Sequence, residues 1–219
     1  MVEIDKLLDL EKTIAAPIFD GKEYPWEILD DIADFILKTG PELPTEEYDN
    51  PKEGVWIAKD AVVFDSAYIC SPCIIDKGAE IRHCAFIRGG VIVGKNAVVG
   101  NSTELKNAIL FDNVQVPHFN YVGDSVLGYK THMGAGSITS NVKSDLSPVV
   151  VKDDGNQIET NRTKFGAILG DGAEIGCNSV LNPGTILGRA VSVYPTSCVR
   201  GVVPENSIYK DKDHIIRRT

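Results

Sequence analysis

The sequence lacks the features that mark membrane-embedded, secreted and nucleic-acid-binding proteins. None of its apolar runs approaches the roughly 20 residues that a bilayer-spanning helix needs, and its N-terminus has no signal-peptide pattern. Its 22 lysines and arginines are outnumbered by 31 aspartates and glutamates, which gives a net charge of −9. A nucleic-acid or anionic-membrane surface needs a basic face, so we expect neither partner. The 43% of apolar and 24% of charged residues are typical of a soluble globular protein.

Cysteines are also few, and their number is odd. Five in 219 residues do not form the framework of a small disulfide-stapled protein, so reduced thiols and a cytoplasmic location are expected. The segment Cys70-Ser71-Pro72-Cys73 has the spacing of a metal or redox motif, but no second pair accompanies it. We therefore interpret it as two thiols on a strand and its turn, and we predict no metal site.

Residues 1–50 differ in pattern from the rest of the chain. Apolar residues recur at helical spacing in Val2–Lys12 and Trp26–Lys38, which predicts two helices. Pro25 suits the first turn of the second helix. The acidic stretch Pro41–Pro51 is interpreted as a linker. Because about 40 residues bury too little surface to fold alone, we expect this helical N-terminal segment to be a cap or an oligomer contact.

From Val55 onward the chain has a six-residue repeat. A large apolar residue falls at every sixth position, and a small residue often stands two positions before it. Such a repeat is typical of a parallel β-helix, in which three hexads form one coil. The predicted fold class is therefore all-β, with a parallel β-helix over residues 51–205 and a C-terminal tail at 206–219. The large residues are Ile57, Val63, Ile69, Ile75, Ile81, Ile87, Val93, Val99, Leu105, Phe111 and Pro117, then Leu169, Ile175, Leu181, Leu187, Val193 and Val199.

The repeat is interrupted between these two series. It continues in a shifted register to Met133 and is abandoned over residues 142–163. Within this excursion, Pro148–Thr160 is interpreted as two strands around the turn signal Asp154-Gly155. A loop of about 20 residues on a compact scaffold is usually functional or disordered. We expect this hairpin to protrude and arch over one face of the β-helix.

A histidine and three cations flank the interruption. His118 has the side chain whose ordinary pKa, about 6.5, lets it accept a proton from an attacking amine or hydroxyl at neutral pH. One coil holds three hexads, and Arg88 and Lys106 are three hexads apart in sequence. They are therefore predicted to stack on one wall near His118. Lys164 is expected to re-enter beside that wall. Three cations around one histidine in an acidic protein indicate an anionic ligand such as a phosphate.

The residues around this histidine resemble those of a known family, the acetyltransferase half of the bacterial bifunctional glucosamine-1-phosphate acetyltransferase/N-acetylglucosamine-1-phosphate uridylyltransferase. The resemblance covers roughly residues 55–205 and is most specific around His118, where the spacing from Lys106 agrees as well as the identities. The segment Asn161–Gly170 is similar to the C-terminal halves of archaeal sugar-1-phosphate nucleotidylyltransferases. The runs that carry the first resemblance are Glu104–Lys106, Pro117–Asp124, Gly134–Asn141 and Lys164–Phe165.

The resemblance implies a left-handed parallel β-helix that forms a homotrimer with active sites between neighbouring subunits. It implies an acyl-CoA-dependent N-acetyltransferase acting on an amino-sugar phosphate similar to glucosamine-1-phosphate, with acetyl-CoA as co-substrate. His118 is the implied general base on the sugar amine. The implied contacts to the sugar phosphate are Arg88, Lys106, Tyr121, Asn141 and Lys164, and those to acetyl-CoA are Ala173, Cys177 and Pro195.

Departures from the resemblance leave other functions open. His132 stands where an asparagine is expected, Val142 where an aromatic residue is expected, and Cys177 where a serine is expected. A β-helix that binds a sugar phosphate without turnover is therefore one alternative. A zinc enzyme resembling γ-class carbonic anhydrases is another, although Gly123 stands where the second histidine of its ligand pair would lie. No glycine-rich nucleotide loop with a basic residue is present, so we expect no nucleotidylyltransferase domain.

Overall fold

Short parallel strands stack into a prism whose coils each contain three strands. The computed structural model describes residues 2–153 and 155–218. In the early coils Ile57 pairs with Ile75, and Ile75 pairs with Val93, so partners are three hexads apart. The predicted parallel β-helix is confirmed. Its left-handed winding is implied by the resemblance alone and stays a prediction.

The strands form three faces, numbered in the order in which the first coil meets them. The first face contains Val55–Ala58, Cys73–Ile75, Val91–Val93, Ala167–Leu169, Thr185–Leu187 and Val202–Val203. The second contains Val62–Val63, Glu80–Ile81, Val98–Asn101, Gln115–His118, His132–Met133, Glu174–Ile175, Ser192–Val193 and Ser207–Asp211. The third contains Tyr68–Ile69, Phe86–Ile87, Ile138–Thr139, Val180–Leu181 and Cys198–Val199. The strands Glu104–Leu110 and Tyr121–Leu127 run unbroken from the third face onto the first.

Antiparallel strands close both ends of the prism, and they correct two predicted boundaries. Tyr48–Lys52 pairs with Val55–Ala58, so the stretch Pro41–Pro51 is not a free linker. The buried Tyr48 ties it down, because its hydroxyl donates a hydrogen bond to the Asp76 carboxylate. At the other end, Ser207–Asp211 pairs in parallel with Ser192–Val193 and is covered by His214–Arg217. The β-helix therefore extends beyond residue 205 into the predicted tail.

The interior register differs from the predicted one at two positions. Leu110 pairs with Val93 and Val116 pairs with Val99, in each case one residue short of three full hexads. The interior positions are therefore Leu110 and Val116, whereas the sequence repeat predicted Phe111 and Pro117. The reason is that the step from the interior Leu105 to the interior Leu110 is one residue shorter than a hexad, which no hexad count anticipates.

The N-terminal segment contains short helices in place of the two long ones predicted. Leu8 is extended, and the next residue donates its backbone N–H to the Asp171 carboxylate at 2.8 Å, so the chain bonds to a coil where the helix was expected to continue. None of these helices has the length and apolar character needed to cross a bilayer, among the residues described. The α-helices are Ile4–Leu7 and Ile32–Thr39, and the 3-10 helices are Leu10–Lys12, Ala16–Phe19, Pro25–Asp30 and Gly40–Glu42.

This segment lies along the first face. Successive side chains of a strand point to opposite sides, so Ile74, between the interior Cys73 and Ile75, points outward. The outward isoleucines of this face are nonetheless fully buried, because apolar side chains of the N-terminal segment cover them. The residues involved are Ile74, Ile92, Ile109, Ile168 and Ile186 on the face, and Ile28, Leu29, Ile32 and Ile36 above it.

The excursion over residues 142–163 contains the predicted hairpin. Val150–Asp153 pairs antiparallel with Asn156–Glu159, which confirms the two strands. Asp154 of the predicted turn lies outside the described residues. A bridge between Val142 and Lys164 closes the base of the excursion. The hairpin is packed against the prism, because Val149 and Val151 are buried.

Candidate functional site

Two edges of the prism border the third face. At the first, which we call the His118 edge, the chain turns from the second face onto the third. At the second, which we call the Asp124 edge, it turns from the third face onto the first. The residues singled out by sequence divide between these edges. The Asp124 edge carries Arg88, Lys106, Asp124 and Asn141, and the His118 edge carries His118, Cys177 and Pro195.

The Asp124 edge is tighter in the middle of the prism than elsewhere. Leu105 pairs with Val122 and Tyr121 pairs with Ile138, so two successive coils are each one residue shorter than three hexads. At the shortened corners Asn107 has φ 48° and Asp124 has φ 47°, in the left-handed region that asparagine and aspartate tolerate better than most residues. The short corners place polar side chains of neighbouring coils directly above one another.

Asp124 is the centre of the polar contacts at this edge. Its side chain is only 4% exposed. The Lys106 ammonium lies 3.1 and 3.3 Å from its two carboxylate oxygens, and the Asn107 amide donates to it at 3.0 Å. The Asn141 amide on the next coil also donates to it. A buried carboxylate surrounded by three donors is satisfied in place and holds those donors in fixed positions.

Tyr121 joins this group from the third face. The Asn141 amide donates to its hydroxyl oxygen at 3.3 Å. Burial, followed by the nearby Asp124 charge, raises the pKa of the Tyr121 hydroxyl, so it remains protonated and can donate at neutral pH. The lack of a side chain at Gly123 makes room for the ring, because a Cβ there would lie 2.4 Å from the Tyr121 oxygen.

Arg88 and Lys106 stack on consecutive coils, as predicted, but they have different partners. The Arg88 guanidinium is 2.8 Å from the Glu104 carboxylate at the surface. The backbone N–H of Arg88 donates to the carbonyl of Leu105, which places the arginine one coil before Lys106. Both cations therefore lie on the same edge.

A cavity of about 270 Å³ adjoins Asp124 where the excursion returns to the prism. Lys164 lines it, and no hydrogen bond or ion pair of the Lys164 side chain is present among the described residues. Arg162 also lines it and forms a two-pronged ion pair with Asp30 of the N-terminal segment. The predicted Lys164 therefore adjoins the Asp124 group, in a cavity with both positive and negative side chains.

Four residues of this site were not among the predicted contacts: Asp30, Asn107, Asp124 and Arg162. Asp124 lies within Pro117–Asp124, one of the runs that carry the resemblance, but the sequence did not indicate its role. Asp30 and Arg162 are 132 residues apart in sequence, and no local pattern indicates that they meet.

The His118 edge is a column of hydrogen-bonded turns. The Gly136 N–H donates to the His118 carbonyl at 3.0 Å, and the Thr196 N–H donates to the Cys177 carbonyl at 2.8 Å. The His118 N–H itself donates to the Asn120 side chain at 3.1 Å, which fixes the turn. The side chains of His118, Cys177 and Pro195 are exposed on this edge. The proposed base thus shares an edge with two of the three residues implied to contact acetyl-CoA.

The sequence predicted that His118 lies beside the cations, and within one chain the structure corrects this prediction. His118 pairs with Asn101, whereas Lys106 pairs with Gly123, so the histidine and the lysine lie on opposite edges of the third face. The physical reason is that the spacing between them amounts to two hexads, which carries the chain across two faces before it reaches His118. Within one chain the third face separates the predicted base from the predicted phosphate contacts.

Ala173 does not belong with the exposed residues of the His118 edge. It is fully buried, its N–H donates to the Gly170 carbonyl, and its carbonyl accepts from the His132 N–H. It therefore presents no free group to a ligand. Ala173 is the small residue of its hexad. Its small side chain fits the crowded corner of the coil, where it is buried.

The remaining histidines are dispersed over the molecule. His83 is 3.0 Å from the Ser66 hydroxyl, His132 is 2.9 Å from Glu174, and His214 is 2.8 Å from Asp211. Across residues 2–153 and 155–218, no group of three or more histidine, cysteine, aspartate or glutamate side chains is arranged to hold a metal ion.

Comparison with known sequences shows relatives along almost the whole chain. A "Bifunctional protein GlmU" of Methanococcus maripaludis is 30% identical over 218 residues, which are 99% of this chain and 52% of that protein. The predicted resemblance is confirmed. A "Bifunctional sugar-1-phosphate nucleotidylyltransferase/acetyltransferase" of Sulfurisphaera tokodaii is 31% identical over 159 residues, 73% of this chain and 40% of that protein. The chain thus spans about half the length, or less, of these relatives. The model of the GMPPB C-terminal domain family matches residues 69–153.

The solved structures that match this chain share little sequence with it. The N-acyltransferase AntD of Bacillus cereus, in complex with dTDP-4-amino-4,6-dideoxyglucose and coenzyme A, has a TM-score of 0.39 and 17% identity, and the match covers 76% of this chain and 82% of that one. The acetyltransferase domain of PglB from Neisseria gonorrhoeae, in complex with acetyl coenzyme A, has a TM-score of 0.35 and 15% identity, with 76% and 58% covered.

Proposed function

We propose that this chain is an acyl-CoA-dependent N-acetyltransferase that acts on an amino-sugar phosphate similar to glucosamine-1-phosphate. The observation that carries the proposal is the set of polar residues ordered around Asp124. The GlmU relative of Methanococcus maripaludis aligns with 99% of this chain, which supports the same function. Acetyl-CoA is the proposed co-substrate, and the proposed setting is the cytoplasm.

The Asp124 edge supplies what a sugar phosphate needs. Lys106 is oriented by Asp124 and Lys164 has no partner among the described side chains, so both ammonium groups can meet a phosphate. Arg88 contributes a third positive charge one coil away. Tyr121 and Asn141 add a hydroxyl and an amide of the kind that bind sugar hydroxyls.

The His118 edge supplies the chemistry in this proposal. The neutral sugar amine attacks the thioester carbonyl, and the exposed His118 imidazole accepts the proton that the amine loses. Nearby N–H donors steady the oxyanion of the tetrahedral intermediate before the thiolate leaves. Acetyl-CoA lies along the coils that carry Cys177 and Pro195. The resemblance carries these roles, and the exposure of all three side chains is compatible with them.

The separation of the two edges fits a site shared between subunits. Because His118 and Lys106 lie on opposite edges of one face, a sugar held at the Asp124 edge of one copy meets the His118 edge of a neighbouring copy more readily than that of its own. Exposed aromatic side chains on and beside the third face, Tyr68, Phe86 and Phe119, suit such a contact. The proposed assembly is the homotrimer implied by the resemblance.

The test is to incubate the protein with acetyl-CoA and a panel of amino-sugar 1-phosphates and to measure the N-acetylated product by chromatography. We expect product, and we expect His118→Ala to abolish it while His83→Ala, at an exposed histidine on the same edge, leaves it unchanged. Turnover that survives His118→Ala would refute the assigned base. Binding of sugar phosphate without product from any member of the panel would instead support the alternative of a non-catalytic binding protein.

A further inference from the structure

The hairpin forms a second, basic groove that none of the proposed roles uses. A cavity of about 380 Å³ lies between the hairpin and the corners of two late coils. Lys143 and Lys152 of the excursion line it, together with Arg200 of the Asp124 edge. None of its described lining residues is acidic, although the chain as a whole has a net charge of −9. A cavity of this size falls within the range of small-molecule sites, about 300–1,000 Å³.

The groove is built by close packing of the hairpin on the prism. Gly184 has φ +78°, and a Cβ there would lie 2.5 Å from the Val149 side chain, so the excursion fits directly against a glycine corner. At the next coil, Gly201 has φ +76° and faces the carbonyl oxygen of Lys152 at 3.6 Å from its ideal Cβ position. The positions of the two strands and the two corners are therefore fixed relative to one another.

The cations of the groove are poorly neutralised. No hydrogen bond or ion pair involves the side chain of Lys152 or Arg200 among the described parts of the chain. Lys143 is held near the groove by the Ser147 hydroxyl, and its nearest carboxylate, Asp145, is 3.9 Å away. Like charges that converge on one cavity repel one another, and a bound polyanion relieves that repulsion.

The remaining lining is apolar and suits the non-phosphate part of a ligand. Val149 is buried, Val150 is half-buried, and Pro183 adds a rigid ring to the same cavity. A flat organic group can lie on such a surface while its phosphates reach the cations. An inorganic ion alone would leave this apolar part uncovered.

The groove is distinct from the Asp124 cavity. The Ser140 N–H donates to the Leu181 carbonyl and the Asn182 N–H donates to the Val199 carbonyl, so Arg200 lies two coils beyond Asn141 on the same edge. Two coil spacings amount to about 10 Å. The residues lining the two cavities do not overlap.

We propose that this groove binds a nucleoside diphosphate group, with Lys143, Lys152 and Arg200 on the phosphates. That chemistry has two sources, a free nucleotide or the nucleotide end of coenzyme A. The inference goes beyond the proposed function, because it assigns a ligand to residues that have no role there. Binding to this groove can be measured without turnover.

The experiment is isothermal titration of the full chain with ADP, with coenzyme A and with pyrophosphate. We expect saturable binding of ADP or coenzyme A with one site per chain, weakened at high salt. Replacing two cations, Lys152→Gln with Arg200→Gln, should weaken it about tenfold or more, because charge-assisted contacts to phosphate are lost. The matched control is Lys212→Gln with Arg217→Gln, an equal charge change on the exposed C-terminal hairpin.

The two sources are separated by competition. If coenzyme A displaces ADP and both lose affinity in the groove variant, the occupant is the nucleotide end of the acyl carrier. If ADP binds equally in the presence of saturating coenzyme A, the occupant is a separate nucleotide. The proposal fails if neither ligand binds saturably, or if the control variant weakens binding as much as the groove variant. It also fails if the groove variant, shown to be folded by circular dichroism, binds as tightly as the unchanged protein.

Discussion

Lys106 and Asp124 are paired across two successive coils, with the ammonium 3.1 Å from one carboxylate oxygen and 3.3 Å from the other. They are three full hexads apart in sequence, but the coil between them is one residue short, so Lys106 pairs with Gly123. The Lys106 side chain still reaches Asp124, the next residue along the chain. The carboxylate is buried and the lysine is a quarter exposed. Asp124 therefore orients the ammonium while leaving part of it open to a ligand.

Replacing Asp124 should impair both stability and substrate binding. In Asp124→Asn the uncharged amide cannot satisfy the donors of Lys106, Asn107 and Asn141 together, so we expect a loss of about 1–3 kcal/mol in the free energy of unfolding. The apparent KM for the sugar phosphate should rise, because Lys106 and Asn141 are no longer held in place. Urea denaturation and substrate titration measure the two effects. Asp145→Asn, at an exposed carboxylate beside Lys143, is the control and should change neither.

The contact between the excursion and the N-terminal segment should depend on pH. The hydrogen bond from Arg162 holds the pKa of Asp30 below its ordinary value. A carboxylate with a lowered pKa in the folded state stabilises the protein above its unfolded pKa of about 3.9, and this contribution is lost as the pH falls through the folded value. Because Asp30 is 80% exposed, the contribution is at most about 1 kcal/mol.

The measurement is urea denaturation at pH 6 and at pH 3 for the unchanged protein, Asp30→Asn, Arg162→Gln and the double variant. The coupling between the two substitutions should be smaller at pH 3 than at pH 6. An equal coupling at both pH values would show that packing of Arg162, rather than the ion pair, links the two segments.

The docking of the N-terminal segment should contribute strongly to stability. Ile32 is fully buried above the first face, so Ile32→Ala removes apolar contacts and leaves a cavity. We expect a loss of about 2–5 kcal/mol in the free energy of unfolding. Leu37→Ala on the same helix is the control, because Leu37 is 49% exposed and should cost far less. Equal losses for both variants would mean that the segment is not held by the first face.

The packing of the hairpin on Gly184 can be tested by adding one methyl group. Gly184 and Gly172 both have positive φ, so an alanine is strained at either position. Only at Gly184 does the new Cβ meet another side chain, that of Val149 at 2.5 Å. Gly184→Ala should therefore destabilise the protein by about 1–3 kcal/mol more than Gly172→Ala, measured by thermal or urea unfolding. A difference near zero would mean that the hairpin moves away at no cost.

The scaffold could be predicted from the sequence to a large extent. The hexad repeat indicated a parallel β-helix, and turn and strand signals in the excursion indicated the hairpin. Both predictions depend on local patterns, which require no knowledge of distant contacts. The predicted interior positions Phe111 and Pro117 are wrong because the corner after Leu105 is one residue short. A count of six residues at a time from the start of the repeat carries this one-residue error to every later position in the series.

The grouping of the candidate residues was less predictable. Arg88 and Lys106 stack as their spacing of three hexads indicated, whereas His118 lies on the other edge of the third face. Ala173 has the identity expected at a hexad corner, and only the structure shows that it is buried on all sides. The pair of Asp30 and Arg162 joins segments 132 residues apart, so no sequence window contains both.

The sequence by itself determined the coil, because one side chain in six must fill the interior of a prism and that requirement is written along the chain at a fixed period. It also determined which residue types stand at the edges, including the histidine and the cations. The tertiary structure decided which of them meet. A missing residue at a corner brings Asn107 level with Asp124, so that its amide donates to the carboxylate. The N-terminal segment covers the first face, and no periodicity encodes this partner surface, on which the burial of the outward isoleucines depends.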